Sequence, residues 1–125
     1  MSRVLVDTSI WIDHLRQTNP ELVALLDPAL VLGHPYVRAE VALGSISDRW
    51  QVLGLLGWLP QATVATADEV VNLIERHSLH GRGLGYVDAQ LLAATLITPG
   101  ARLWSRDRRL AAAARDLDIA HAEAG

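Results

Sequence analysis

Four acidic residues, Asp7, Glu40, Asp88 and Asp107, are placed where they could hold a divalent cation. Asp7 ends one short apolar run and Asp107 follows another, while Glu40 and Asp88 fall in the opening turns of two segments with helical patterning. Oxygen ligands favour hard ions such as Mg²⁺ or Mn²⁺. A pair of such ions about 4 Å apart can activate water and stabilise the attacking and leaving oxygens in phosphodiester hydrolysis. We therefore predict that these four residues are both metal-binding and catalytic.

Helical spacing places three of these acids beside apolar residues, because residues three, four and seven apart share one face of a helix. The groups are Glu40 with Val37, Val41 and Gly44, Asp88 with Leu91, Leu92 and Thr95, and Asp107 with Leu110, Ala111 and Ala114. We therefore expect these acids to point toward the core. An ionised carboxylate there is costly unless it is paired or bound to a metal, and the chain contains no Lys that could pair with it. A divalent cation is the expected partner.

Each acid also has a purely structural interpretation. Asp88 and Asp107 precede apolar helical runs, where Asp is common as an N-cap, and on this evidence alone capping and metal binding are about equally favoured. Asp7 precedes Thr8 and Ser9 and could hold a turn. A non-catalytic interaction module whose acids only cap helices therefore stays open, and the joint pattern of four acids is what favours the metal site.

The elements that must position these acids alternate between short apolar runs and helical segments. Strands are predicted at 3–6, 29–32, 63–65 and 101–104, with a short edge strand at 119–120. Helices are predicted from 8 or 9, from 20, from 35, and at about 48–58, 67–77, 86–97 and 108–117. This alternation predicts a single α/β domain over residues 1–125 with a mostly parallel sheet of four or five strands. Ligands of such sheets bind beyond the carboxyl ends of the strands, and all four acids map there.

The composition argues against several other classes of protein and site. The chain has 125 residues, enough for one core, and no Cys, which excludes disulfides, thiolate zinc sites and cysteine nucleophiles. Its five His residues lack the close spacing of a zinc site. The net charge of -3 argues weakly against a simple basic nucleic-acid binder, although the chain without its four candidate ligands is slightly positive. No apolar run is long enough for a signal peptide or a membrane span, so we expect a cytoplasmic protein without membrane association.

Four motifs, in this order, resemble those of the PIN-domain ribonucleases, and most closely those of the VapC toxins of bacterial toxin–antitoxin pairs. The motifs are Val4-Leu5-Val6-Asp7-Thr8-Ser9-Ile10-Trp11-Ile12, Arg38-Ala39-Glu40-Val41, Gly85-Tyr86-Val87-Asp88-Ala89-Gln90-Leu91-Leu92-Ala93-Ala94 and Trp104-Ser105-Arg106-Asp107. Each motif is weak alone, but four at suitable spacing over nearly the whole chain are specific. The resemblance implies a three-layer α/β/α PIN-like domain and a Mg²⁺- or Mn²⁺-dependent endoribonuclease that acts as a toxin.

The resemblance also implies partners and supporting residues. It implies a homodimer, a cognate VapB-type antitoxin whose tail lies in an apolar groove and blocks the site, and a higher heteromeric assembly with that antitoxin. Candidate groove walls, each with a core position as the alternative, are Trp11, Leu15, Leu22, Leu25, Leu26, Trp50 and Leu53. Hydroxyls that could orient the carboxylates or water belong to Thr8, Ser9 and Ser105, with turn or cap roles as the alternative. Candidate RNA contacts are Arg82, Arg106, Arg108 and Arg109, with a solvated surface as the alternative.

Other functions use acids at strand ends as well. Phosphoryl transfer onto an aspartate, as in receiver domains or haloacid-dehalogenase-like phosphatases, calls for a Lys near the site, and this chain has none. A DNA-directed nuclease remains open, because metal–carboxylate chemistry does not by itself discriminate RNA from DNA. The sequence leaves the target RNA and the number of metals undetermined.

Overall fold

The computed structural model of the protein describes residues 2–123. Its elements, in order, are β1 (Arg3–Val6), α1 (Thr8–Arg16), α2 (Pro20–Leu26), β2 (Val31–Leu32), α3 (Pro35–Leu43), α4 (Arg49–Trp58), α5 (Ala67–Arg76), α6 (Tyr86–Ile97), β3 (Ala101–Trp104) and α7 (Arg108–Asp116). All seven predicted helices are confirmed, and each begins within one residue of its predicted start. None of the helices in residues 2–123 combines the length and apolar character needed to cross a bilayer.

The sheet is parallel, with strand order β2-β1-β3. The central strand β1 pairs Val4 with Val31 on one side, and on the other side pairs Val6 with Trp104. Successive side chains of a strand point to opposite faces of the sheet. Because Val4, Leu5 and Val6 are all buried, both faces of the sheet are covered by helices. The predicted α/β domain with a parallel sheet and a layer of helices on each face is confirmed.

The predicted number of strands is wrong, because the described residues contain three strands rather than four or five. Residues 63–65 form no strand. The segment after α4 meets the edge of the sheet through one bridge, between Gln61 and Gly33. The two residues are close, since a Cβ added to Gly33 would lie 2.5 Å from the Gln61 side-chain amide nitrogen. At the other edge, Ala120 makes a single bridge to Leu103. A strand needs a run of paired backbone groups, and both segments leave the sheet after one bridge.

The predicted groove walls divide into core and surface. Trp11 and Leu22 lie in the core. Leu25, Leu26 and Leu53 are partly buried against it. By contrast, Leu15 is 38% exposed and Trp50 is 91% exposed. The two exposed side chains are therefore the members of this group that remain open to a partner.

Candidate active site

Asp7 follows the last residue of the central strand and is the most buried of the four acids, with 6% of its surface exposed. Its backbone N–H donates to the Trp104 carbonyl at 2.9 Å, which joins the carboxyl ends of β1 and β3. Its Oδ2 atom accepts hydrogen bonds from the hydroxyls of Ser9 at 2.9 Å and Ser105 at 2.7 Å. Asp7 is also the N-cap of α1, where the helix dipole favours a negative charge. The Asp7 carboxylate is therefore held in place by two hydroxyls at the N-terminus of α1.

The same two hydroxyls connect Asp7 to the loop that carries Asp107. Ser105 Oγ accepts the backbone N–H of Asp107 at 3.0 Å, and Ser9 Oγ accepts the backbone N–H of Arg106 at 3.1 Å. Each serine thus donates to Asp7 and accepts from the 105–107 loop. This arrangement fixes the direction of the Asp7 carboxylate relative to Asp107, which is what an orienting role requires.

Glu40 reaches the cluster through Thr8. The Thr8 hydroxyl donates to Glu40 Oε1 at 2.7 Å, which connects the first turn of α1 to the middle of α3. Thr8 directly follows Asp7, so this contact brings Glu40 to the side of the Asp7 site. Each hydroxyl therefore donates a hydrogen bond to one acid: Thr8 to Glu40, and Ser9 and Ser105 to Asp7.

The Asp88 and Asp107 carboxylates both accept backbone N–H groups at the N-termini of their helices. Asp88 lies in the first turn of α6 and its Oδ2 accepts the Gly85 N–H at 3.0 Å. Asp107 is the N-cap of α7 and its Oδ1 accepts the Leu110 N–H at 2.9 Å. The N-cap interpretation is therefore correct for Asp107 and wrong for Asp88, which is the third residue of α6 and accepts the N–H of the N-cap Gly85. In both residues the second carboxylate oxygen lies outside that hydrogen bond.

The expectation that the acids point toward the core is wrong for Asp107, which is exposed, while Glu40 and Asp88 are half-buried. The reason is that Asp107 precedes α7 as its N-cap. Its backbone is extended, so the helical spacing that grouped it with apolar residues does not apply to it.

The negative charges of Asp7, Asp88 and Asp107 are close enough to affect one another. Burial raises the pKa of Asp88, the Gly85 N–H opposes this effect, and the negative charges of Asp107 and Asp7 raise the pKa further. Among residues 2–123, none of the four acids forms an ion pair with Arg or His. The cluster thus concentrates negative charge that no ion pair among the described residues offsets.

The donor set fits a hard divalent cation in type and charge, since it consists of carboxylate and hydroxyl oxygens. In the described range, however, no three His, Asp or Glu groups have the spacing of a metal site. The hydrogen bonds above give a physical reason, because three of the carboxylates are turned toward Thr8, Gly85 or Leu110. A bound cation would have to draw these side chains inward.

The four predicted RNA contacts differ in their surroundings. Arg82 pairs with Asp116 at 2.8 Å, at the far end of α7 from Asp107, and a helix of this length spans about 13 Å. Arg106 pairs with Asp13 at 3.0 Å and with Glu123 at 3.2 Å. The remaining two, Arg108 and Arg109, lie exposed in the first turn of α7, and the Arg109 guanidinium lies against the backbone of Gly83. Their RNA contacts stay predictions.

Sequence reasoning missed a group of side chains beside the acids. The group comprises His34 and Tyr36 at the start of α3 and Tyr86 and Gln90 at the start of α6. One signal was present in the sequence: Tyr36 lies four residues before Glu40, and therefore on the same helix face. The contacts between the two helices depend on tertiary structure and had no local signal.

We expect Ser105→Ala to lower RNA cleavage about 10- to 100-fold, because the Asp7 carboxylate loses a hydrogen bond that fixes its direction. The free energy of unfolding should fall by only about 1 kcal/mol. Steady-state cleavage rates and urea titrations measure the two effects. Ser105→Thr keeps the hydroxyl and should retain most activity; equal rates for all three proteins would contradict an orienting role.

The parallel α/β sheet with four acids gathered beyond the carboxyl ends of its strands defines a PIN-like domain. No protein-family model matches the chain. It is 52% identical over 120 residues to Ribonuclease VapC32 of Mycobacterium tuberculosis strain CDC 1551 / Oshkosh, and equally to the protein of that name in strain ATCC 25618 / H37Rv. Each alignment covers 96% of this chain and 97% of the relative. The chain belongs to the VapC ribonuclease family.

Proposed function

We propose that this chain is the toxin of a toxin–antitoxin pair, a Mg²⁺- or Mn²⁺-dependent endoribonuclease that hydrolyses RNA phosphodiester bonds with a metal-activated water and acts in the cytoplasm. The observation that carries the proposal is the gathering of four acids without a cationic partner among residues 2–123, in a chain of the VapC family. The absence of Lys from the chain also disfavours the aspartate phosphotransfer alternative, which needs a Lys near the site.

The side chains of the site would have three roles: to hold the cation, to orient its ligands and to attract the phosphate. Asp7, Glu40, Asp88 and Asp107 would hold the cation, directly or through water. The ion would supply Lewis-acid chemistry, lowering the pKa of a water and offsetting charge on the phosphate oxygens. Ser9 and Ser105 hold the direction of Asp7, and Thr8 holds that of Glu40. The N-terminus of α7, with its exposed Arg108, offers positive potential to a phosphate beside the acids.

Cleavage of total RNA by the purified protein tests the function. We expect discrete products in Mg²⁺ or Mn²⁺ that disappear with EDTA, and the same incubation with single- and double-stranded DNA tests the alternative DNA substrate. Cleavage that persists in EDTA would contradict the metal-dependent mechanism. Failure to cleave any RNA, with antitoxin shown to be absent by mass spectrometry, would favour the interaction module.

Metal binding can be measured without cleavage. We expect Mg²⁺ at 100 times its dissociation constant to raise the free energy of unfolding of the wild type by about 2.7 kcal/mol. The physical reason is relief of the repulsion that Asp7 and Asp107 exert on Asp88. Urea titrations with Mg²⁺, or with NaCl at the same ionic strength, measure the gain. An equal gain in NaCl, or in Asp88→Asn, would show that the effect is salt screening.

The proposal includes a VapB-type antitoxin, a homodimer and a larger assembly of the two proteins. Its structural support is the exposure of large apolar side chains, because monomeric proteins rarely expose large apolar patches. The most exposed are Leu43 at 88%, Trp50 at 91% and Trp58 at 84%. Light scattering of the chain alone and with its co-expressed partner measures both stoichiometries.

A further inference from the structure

Two tyrosines meet at the starts of α3 and α6, the helices that carry Glu40 and Asp88. Tyr36 lies in the first turn of α3 and Tyr86 begins α6, and their ring centroids are 6.4 Å apart with an angle of 44° between the planes. Tyr36 shares a helix face with Glu40, which is one turn further along α3. Asp88 lies in the same first turn of α6 as Tyr86. The ring pair therefore lies about one helical turn from Glu40, and on the helix that carries Asp88.

Both rings are held from the inside of the protein. The Gln90 side-chain amide donates to the Tyr86 hydroxyl at 2.8 Å, and Gln90 is 1% exposed. The Tyr36 ring packs edge-on against the His34 ring with centroids 5.4 Å apart, and His34 is also 1% exposed. His34 Nδ1 additionally accepts the backbone N–H of Tyr36 at 3.1 Å. The buried partners fix the rings before any ligand arrives.

The outer side of the pair is open. Tyr86 is 50% exposed although it carries a hydrogen bond to a buried side chain, and Tyr36 is half-buried. The support behind the rings is neutral at pH 7, because burial lowers the pKa of His34 to about 4. The tyrosine pair thus offers π-faces without a neighbouring histidine charge, next to a site suited to a phosphate.

We propose that Tyr36 and Tyr86 form a stacking platform for one unpaired base of the RNA substrate, next to the phosphate that is cleaved. Single-stranded RNA is held by proteins through such aromatic faces together with contacts to its backbone. Stacking accepts any base, so the platform selects an unpaired nucleotide rather than a particular sequence. The inference rests on the proposed ribonuclease function and makes the two tyrosines substrate-binding residues of that site.

The binding experiment uses a fluorescein-labelled, mixed-sequence single-stranded RNA and protein carrying Asp7→Asn, so that cleavage does not interfere. We expect Tyr86→Ala and Tyr36→Ala each to raise Kd about 5- to 100-fold by fluorescence anisotropy. Tyr86→Phe and Tyr36→Phe keep the ring and should stay within about twofold. Val71→Ala removes an exposed apolar side chain from α5 and should leave Kd unchanged. Circular dichroism confirms that each variant is folded.

A second set of RNAs carries one abasic ribose at each position in turn. At one position the abasic substitution should weaken binding to the Asp7→Asn protein but not further weaken binding to its Tyr86→Ala derivative. In the active background, the alanine variants should raise KM with little change in kcat. Unchanged Kd in folded alanine variants, or abasic losses equal in both proteins, would overturn the platform while leaving the nuclease intact. Wild type that neither binds nor cleaves RNA would overturn both proposals.

Discussion

Asp7→Asn should reduce metal-dependent RNA cleavage by more than about 100-fold while the protein remains folded and at least as stable as the wild type. The lower bound follows because loss of a residue that only orients a metal ligand already costs about 10- to 100-fold. Asp7 accepts two hydroxyl hydrogen bonds at the end of the central strand, so its place in the cluster is fixed. Asparagine keeps the shape and a carbonyl acceptor but removes the negative charge.

The stability part of this prediction has its own reason. The Asp7 charge contributes to the raised pKa of Asp88, so the native state carries a repulsion that the variant relieves. Cleavage rates and urea titrations in EDTA give the two readings, and Asp88→Asn should behave in the same way. Asp68→Asn, an exposed acid in the first turn of α5, is the matched control and should keep full activity. Wild-type turnover in both Asp7→Asn and Asp88→Asn would remove the metal-site assignment.

The helices could be predicted because their signals are local. Residues 19–21 predict a helix start, and Asn19 accepts the N–H groups of Glu21 and Leu22 in the structure. The run 86–97 was predicted at both ends, since an apolar stretch is followed by Thr98, Pro99 and Gly100. A cap or a breaker acts on its own turn, so a short window of sequence contains the information.

The sheet edges could not be predicted in the same way. Residues 61 and 120 each make one bridge to a neighbour far away in the sequence, and whether a second bridge forms depends on where the packed helices let the chain run. The prediction that Asp107 points toward the core is wrong for a related reason. Asp107 lies one residue before α7, where its backbone is extended rather than helical. The placement of the acids near the carboxyl ends of the strands, by contrast, could be predicted from their positions after strands and near helix starts, and their role as metal ligands stays a prediction.

The group around His34 shows the limit of sequence reasoning at the site. The spacing of the five His residues argues only against a zinc site, and it does not predict that His34 is the buried N-cap of α3. Its Nδ1 accepts the Tyr36 N–H, so the neutral ring carries its proton on Nε2, which has no partner among the described residues. Protonation would place a charge inside the protein and turn the acceptor into a donor that faces another N–H.

This geometry predicts a strong acid sensitivity of the fold. Burial lowers the pKa of His34 from 6.5 to about 4 in the native state. Above pH 6.5 the ring is neutral in both states and its full contribution is present. As pH falls from about 6.5 to about 4, the unfolded chain takes up the proton and the native protein does not, so the free energy of unfolding falls. The total loss should be on the order of 3 kcal/mol, and no further loss from this residue should occur below pH 4.

The matched variant is His34→Asn, because Asn is a good N-cap that accepts the same N–H but does not titrate. Urea titrations of both proteins from pH 8 to pH 4 give two stability curves. Their difference removes the contributions of His14, Asp88 and Glu123, whose pKa values are also shifted in the native state. We expect Asn to lower the free energy of unfolding by the same amount at every pH, because it loses packing. The change of the difference with pH, rather than its absolute value, therefore tests the prediction. Parallel curves across pH 4 to 6.5 would show that His34 protonates in the native protein as readily as in the unfolded chain.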